Sequence, residues 1–271
     1  MTSIHARLRC LLRALCLCVL SATAPCVYAQ GTAFTTDPSD IWWKSSESGW
    51  GMQIVAEGDA AFATLFVYDA DRQPTFYTST LSLAGGANWS GDLYRTSGPY
   101  FGASSFDPAA VTLRKVGTLT FARTGSDSAT LEYSVDGVTV RKDITRQLLR
   151  YENYSGTYAT IVHLSVARCS NAADNREQTD PYTIDVNQSG TTMTIKGTFA
   201  HRAACTYTGS YTQSGKVGAV GASYVCADGD QGAMNFFELT RRPGMISGRL
   251  SGHSITDACD YSGTFTGLLP F

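Results

Sequence analysis

Charge, histidine and recognisable catalytic motifs are all scarce in this 271-residue chain. Only 16% of the residues are charged, against roughly 25% in an average soluble domain, while 43% are hydrophobic, a balance that excludes a disordered chain and a long charged helical rod. Setting aside Arg7, Arg9 and Arg13 with an N-terminal leader takes the 21 basic residues to 18 against 23 acidic ones, a net charge of −5. A nucleic-acid partner is disfavoured, because backbone binding needs a clustered basic surface. No apolar run reaches the roughly 20 residues of a membrane span, so no transmembrane segment is expected. The sequence has no G-x-S-x-G elbow, no H-E-x-x-H, no phosphate-binding loop and no dinucleotide fingerprint, so the usual hydrolase and nucleotide signatures are missing and no cofactor is expected. Beyond the leader there are three histidines, His163, His201 and His253, each in a strand-like context, which leaves few bases for a serine or cysteine nucleophile. Asp69 to Gln73 resembles the opening of a calcium loop, but Pro74 stands where that loop needs glycine and Thr80 where it needs glutamate. Asp228-Gly229-Asp230 is weaker still, and both segments read as acidic hairpin turns.

What the first 29 residues do contain is an ordered export signal. Met1 to Arg13 is basic, Ala14 to Leu20 is apolar, and Val27-Tyr28-Ala29 supplies the small residues of a cleavage site before Gln30. Pro25 before Cys26 and Leu17 before Cys18 replace the small residue of a lipid-attachment site, which argues against a lipoprotein. Four of the eight cysteines fall in this leader, and the other four, Cys169, Cys205, Cys226 and Cys259, all lie in the second half. An even count in an exported chain predicts two disulfides. His201 and His253 lie near Cys205 and Cys259, but without C-x-x-C or H-x-H spacing, so no metal site is expected. Folding the chain at Ser214-Gly215 puts Cys205 opposite residue 224, two positions from Cys226; this predicts Cys205–Cys226 and leaves Cys169–Cys259.

From Gly51 to Arg146, runs rich in Thr, Val, Phe and Tyr alternate with the turn signals Gly58-Asp59, Asp69 to Pro74, Gly85-Gly86, Gly125-Ser126 and Asp136-Gly137. That is a meander of about seven strands. Asp136-Gly137 suits the two positive-φ positions of a type I′ hairpin, and Asp107-Pro108 suits the start of a single helical turn. The second half carries a repeat, Tyr154-Ser-Gly-Thr-Tyr158, Tyr207-Thr-Gly-Ser-Tyr211 and Tyr261-Ser-Gly-Thr-Phe265, in which strand geometry puts both aromatics and the glycine on one face. Such a motif packs a tightly curved sheet, with a ligand-stacking ladder as the alternative. With Tyr182 to Asn187, Thr192 to Phe199, Val217 to Cys226, Ala233 to Arg241 and Met245 to Ser251, it makes eight strands. The expectation is an all-β protein of two consecutive antiparallel meander domains, each a small barrel or a flattened barrel or sandwich, lipocalin- or avidin-like in appearance. Residues 1–29 form the signal peptide, 30–150 the tryptophan-rich domain and 151–271 the disulfide-containing domain.

All four tryptophans lie in the first half, and Trp42, Trp43 and Trp50 crowd around Glu47. Neighbours in a strand face opposite sides, so Trp42 and Trp43 cannot both enter one barrel interior. Exposed indoles beside a carboxylate, with Tyr77, Tyr94, Arg95 and Tyr100, would suit a glycan or a small apolar ligand, whereas tryptophans near a chain start also plug barrel ends. Trp42-Trp43, Glu47-Ser-Gly-Trp-Gly51, Phe66-Val-Tyr-Asp-Ala70, Pro74-Thr-Phe-Tyr77, Gly91 to Pro99 with Phe101-Gly102, and Ile144-Thr-Arg-Gln147 together resemble a recurrent domain of uncharacterised exported proteobacterial β proteins, over about residues 40–147. Phe76 departs from the tryptophan usual there. The resemblance implies a bacterial exported protein in which the N-x-S sequons at Asn88, Asn153 and Asn187 carry no glycan, and it brings no catalytic residues. The functional expectation is a periplasmic or extracellular noncatalytic binding or envelope-accessory protein whose recognition lies in the Trp42 to Trp50 segment. Alternatives are a hydrolase pairing Glu47 with an aspartate across a cleft, and a secreted protease inhibitor. No motif sets an oligomeric state.

Overall fold

The computed structural model describes residues 37–199 and 203–270. The expected leader and His201 lie outside these. The protein is all-β, with two eight-stranded antiparallel barrels that follow one another along the chain, each a meander closed by its first and last strands. The first comprises β1 (Asp40–Trp43), β2 (Gly51–Glu57), β3 (Ala60–Tyr68), β4 (Pro74–Leu83), β5 (Asn88–Ser97), β6 (Thr112–Arg123), β7 (Ser128–Val135) and β8 (Val138–Arg146). The second comprises β9 (Gly156–Ala167), β10 (Arg176–Ser189), β11 (Thr192–Phe199), β12 (Cys205–Ser214), β13 (Val217–Cys226), β14 (Gln231–Arg242), β15 (Met245–Ser254) and β16 (Asp260–Leu268).

Local chemistry explains the joints. Asp136 (φ 47°) and Gly137 (φ 89°) form the positive-φ pair expected between β7 and β8, and the guanidinium of Arg114 grips the Asp136 carboxylate with two bonds of 2.6 and 2.9 Å. Asp107 caps a 3-10 turn at Pro108–Ala110 by accepting the Ala109 N–H at 2.9 Å. Asp69 accepts from the N–H groups of both Asp71 and Gln73, which makes this acidic segment the hairpin turn expected of it.

The first barrel is filled by its side chains. Trp42, Trp89, Phe121, Met52, Ile54, Leu65, Leu81 and Leu93 are fully buried, and the Trp42 ring meets Phe121 edge to face at 4.8 Å. Its seam is short, with only Trp42 and Trp43 of β1 pairing with Arg146 and Thr145 of β8. Side chains complete what this ladder lacks. The buried Arg146 guanidinium donates to Ser126 O (2.8 Å), Ser39 O (3.2 Å), Asp37 O (3.1 Å) and Asp40 Oδ2 (2.8 Å), and lies 4.6 Å from the centre of the Trp42 ring. Arg123 beside it donates to Asp37 O, Gly125 O and Ser126 O; burial and then the like charge of Arg146 push its pKa down to about 10.

The second barrel places all three aromatic repeats inward, as their period requires, with Tyr158, Tyr211 and Phe265 buried. Two of the three central glycines answer to backbone proximity. A Cβ on Gly209 would lie 2.0 Å from the carbonyl oxygen of Gly221, and one on Gly263 would lie 2.1 Å from that of His163. Tight turns at Gly190, Gly215 and Gly244 gather at one end of this barrel. There a bulge in β14 turns Glu238 (φ 53°) into a buried position and brings Leu239 O to the hydroxyl of Tyr154, which donates to it at 3.0 Å. The other end carries the longer connections and both disulfides, Cys205–Cys226 and Cys169–Cys259. The pairing is that expected from the sequence, but the register differs: the hairpin turns at Gly215-Lys216, one residue later than expected, so Cys205 stands directly opposite Cys226. The later turn follows from Ser214 pairing with Val217, which leaves a two-residue loop with Gly215 at φ 55°.

Candidate functional site

In the first barrel, the structure separates the residues that the sequence grouped. Trp42 and Trp43 do face opposite ways, but Trp42 is wholly enclosed, with its Nε1 donating to Pro38 O at 2.9 Å, so it cannot offer a face to a ligand. Tyr77 likewise points into the core. Glu47, in a 3-10 turn at Ser45–Glu47 between β1 and β2, accepts from Lys44 (2.8 Å), Lys142 (2.8 Å) and the indole N–H of Trp50 (3.2 Å). Its carboxyl is held down to about 2, first by the bond to Lys142 and then by that to Lys44. A general acid for glycoside cleavage needs the opposite shift, and the groups bonded to Glu47 are two lysines and an indole rather than a second carboxylate. The half-buried Trp50 packs on the core, so Glu47, Lys44, Lys142 and Trp50 form a latch over one barrel end. Tyr94 engages Asp92, Arg95 is exposed beside Arg114 on the neighbouring strand, and Tyr100 stands in the exposed β5–β6 connection with its ring 4.6 Å from that of Phe101. Beyond Tyr100, Phe101 and Phe106 in the β5–β6 connection, the strands of this barrel expose Phe62, Phe66 and Tyr68 on β3 and Phe76 on β4, none of them proposed from the sequence as ligand-binding. The signal was there: Ala60 to Tyr68 is apolar at nearly every position, too much for a strand with only one face buried.

The second barrel is hollow. A cavity of about 160 Å³ runs inside it, walled by Val162, Leu164, Ile184, Val186, Met193 and Ile195 with Phe265 beside Val162 and, across the barrel, by Met234, Phe236 and Leu250. Tyr154 lies against its floor, at the end of the tight turns. Toward the loop end it is bordered by Tyr207, Tyr224 and Tyr261, by the Cys205–Cys226 bridge, and by Asp228 and Asp230 in the β13–β14 turn. Tyr207 packs 5.4 Å from Tyr224 and edge-on to Phe236 at 5.5 Å, so the aromatic wall is continuous. The Asp230 carboxylate accepts from Ser254 Oγ at 2.7 Å and from the Tyr224 hydroxyl at 3.2 Å. Burial raises the phenol pKa values of Tyr224 and Tyr261, and the negative charge of Asp230 raises them further, so both remain neutral hydroxyls. The repeat that the sequence presented as a packing device thus supplies both packing and cavity wall. Asp228 and Asp230, taken for turn residues only, are turn residues that also border the cavity.

No metal-binding cluster of three His, Cys, Asp or Glu side chains occurs among the described residues, and no helix among them is long and apolar enough to cross a membrane. Two disulfides suit an oxidising compartment and hence an exported protein. No protein-family profile and no curated protein matches the chain. Among solved structures, the isotype 1 transferrin binding protein B from serogroup B Neisseria meningitidis aligns with 86% of this chain and 69% of its own, at 10% identity and a TM-score of 0.30.

Proposed function

We propose that this is an exported bacterial, noncatalytic binding protein, periplasmic or extracellular, whose second barrel holds a small apolar ligand inside. The observation that carries the proposal is the apolar cavity bordered by Tyr207, Tyr224, Tyr261 and Phe265 in a barrel that two disulfides pin at the loop end. A dry apolar cavity of about 150 Å³ holds one benzene, whereas drug-sized ligands need roughly 300 Å³ or more. At about 160 Å³ the cavity fits a single ring or a short alkyl chain and excludes a haem or a long fatty acid. The resemblance over residues 40–147 supports export and a bacterial source. Calorimetric titration with toluene and n-hexanol tests the proposal. Saturable binding that is lost in Val162→Phe, which fills the cavity, and kept in Trp50→Ala supports it; binding that survives Val162→Phe overturns it.

A second reading rests on Phe62, Phe66, Tyr68 and Phe76, whose side chains are about half exposed on the outer face of the first barrel. Flat rings flanked by the hydroxyls of Thr64 and Thr78 suit stacking on sugar rings. Electrophoretic retardation in gels containing soluble polysaccharide, relieved by Phe66→Ala with Phe76→Ala, would support a glycan ligand there; unchanged mobility in every gel would exclude it.

A further inference from the structure

The charge around the cavity mouth is one-sided. Asp228 and Asp230 are the ionisable carboxylates that border the cavity, and no lysine, arginine or histidine borders it among the described residues. Neither aspartate forms an ion pair among the described residues, although Asp230 is half-buried and closely bordered by Tyr224 and Ser254. A partly desolvated carboxylate with no described countercharge beside it gains free energy from an arriving cation. Its oxygens each carry two lone pairs, of which the bonds from Ser254 and Tyr224 use one apiece, so acceptor capacity remains for a further donor. The bordering groups of Tyr207, Tyr224 and Tyr261 add aromatic rings, whose electron-rich faces attract organic cations and gain little from anions.

Resting on the cavity reading above, we infer that the ligand is a small organic amine, with one ring or a short alkyl body in the barrel and its ammonium group at Asp230 and Asp228. The division of labour follows from position. The apolar wall below the mouth takes the body, whose burial supplies the bulk of the affinity, and the rim takes the charge, which sets the choice between isosteres. An anion of the same shape would meet two carboxylates and no described basic group, so the site discriminates by repulsion as well as by attraction.

The experiment compares three ligands of nearly equal shape on the full mature chain by calorimetry: 2-phenylethylamine as its ammonium ion, 2-phenylethanol and 3-phenylpropionate. The amine should bind roughly tenfold more tightly than the alcohol, the ratio that one charge-assisted hydrogen bond supplies, and the carboxylate should bind weakest. Asp230→Asn keeps an acceptor for Ser254 and should bring the amine down to the level of the alcohol while leaving the affinity for the alcohol unchanged. Asp228→Asn, at the more exposed position, should narrow the ratio by a smaller factor, and it serves as the second variant if Asp230→Asn does not fold. Equal binding of amine and alcohol by the native chain, or tighter binding of the carboxylate, overturns the inference while leaving the cavity reading intact. Absence of binding by all three overturns both.

Discussion

The two barrels share strand number, direction and topology and differ in what fills them. The first uses large rigid rings, with Trp42 against Phe121 and Trp89 buried on the strand beside Phe121, and apart from Tyr77 and Met52 its other buried apolar positions are small or aliphatic. The second spreads its aromatics around the wall as Tyr207, Tyr224, Phe236 and Phe265, each leaning on a neighbour at 5.4 to 6.2 Å rather than crossing the middle. An eight-stranded barrel is just wide enough for either result, so the choice between plug and container depends on which side chains reach the axis. The first barrel closes on a two-residue seam completed by packing and buried guanidiniums, the second on a nine-residue β9–β16 ladder, with two disulfides added at its open end. One fold thus yields a filled barrel and a hollow one in the same chain.

That contrast makes graded predictions. Removing the Cys169–Cys259 bridge by double serine substitution should cost the most, about 4.5 kcal/mol by chain entropy for a link across 90 residues, against about 3 kcal/mol for the 21-residue Cys205–Cys226 link. Urea unfolding followed by tyrosine fluorescence should show the loss in the second barrel while the tryptophan signal of the first keeps its midpoint; a common shift of both signals would mean that the barrels unfold as one unit. Trp42→Ala should destabilise the first barrel by about 4 kcal/mol, whereas Tyr207→Ala, beside the void, should cost less than half as much in the second. Equal losses would show that the hollow barrel is as tightly packed as the filled one. Overpacking sharpens the test: Ala63→Leu should cost about 1 to 3 kcal/mol in the filled barrel, while Val162→Leu should stabilise the hollow one by about 0.5 to 2 kcal/mol.

The smallest expected effect concerns the latch. The folded-state pKa of Glu47 lies below its ordinary value of 4.5, at about 2, so its contribution is complete above pH 4.5 and disappears as the pH falls toward 2. Melting curves of Glu47→Gln should therefore differ from the native ones at pH 6 and converge with them near pH 2, and a constant difference across that range would refute the latch.

Both barrels were legible as strand meanders because their evidence is local. Period-two alternation and turns such as Gly85-Gly86 and Asp136-Gly137 mark the strands from Gly51 onward with no knowledge of their partners, whereas the short β1 lies before Gly51 and outside the meander read from the sequence. The cysteine pairing came from the same counting, and its one-residue error at Gly215 arose because the residue that begins a two-residue turn is decided by the cross-strand partner Val217. Alternation also required Trp42 and Trp43 to part. It could not say which goes inward, since that depends on the pairing of Trp42 with Arg146, more than 100 residues away. Hollowness was the least legible property, because it is the sum of volumes around a closed ring and no single strand carries it. For the same reason Asp228 and Asp230 showed their turn chemistry and hid their place at the mouth.

The Arg146 guanidinium has a consequence for assembly. Its strand partner β1 has four residues, of which three pair with β2 and only two reach β8, so on the β8 side the first barrel holds its first strand largely through one side chain that gathers Asp37, Ser39, Asp40 and Ser126. Without that clasp the β1–β8 seam is the weakest joint of the barrel, and its opening uncovers the edge of β8, a slot that β1 of another molecule can fill with its own Trp42. Arg146 therefore guards the chain against strand exchange, and Arg146→Met should raise the share of β1-swapped dimers, read by size-exclusion chromatography against the native chain, as protein concentration rises.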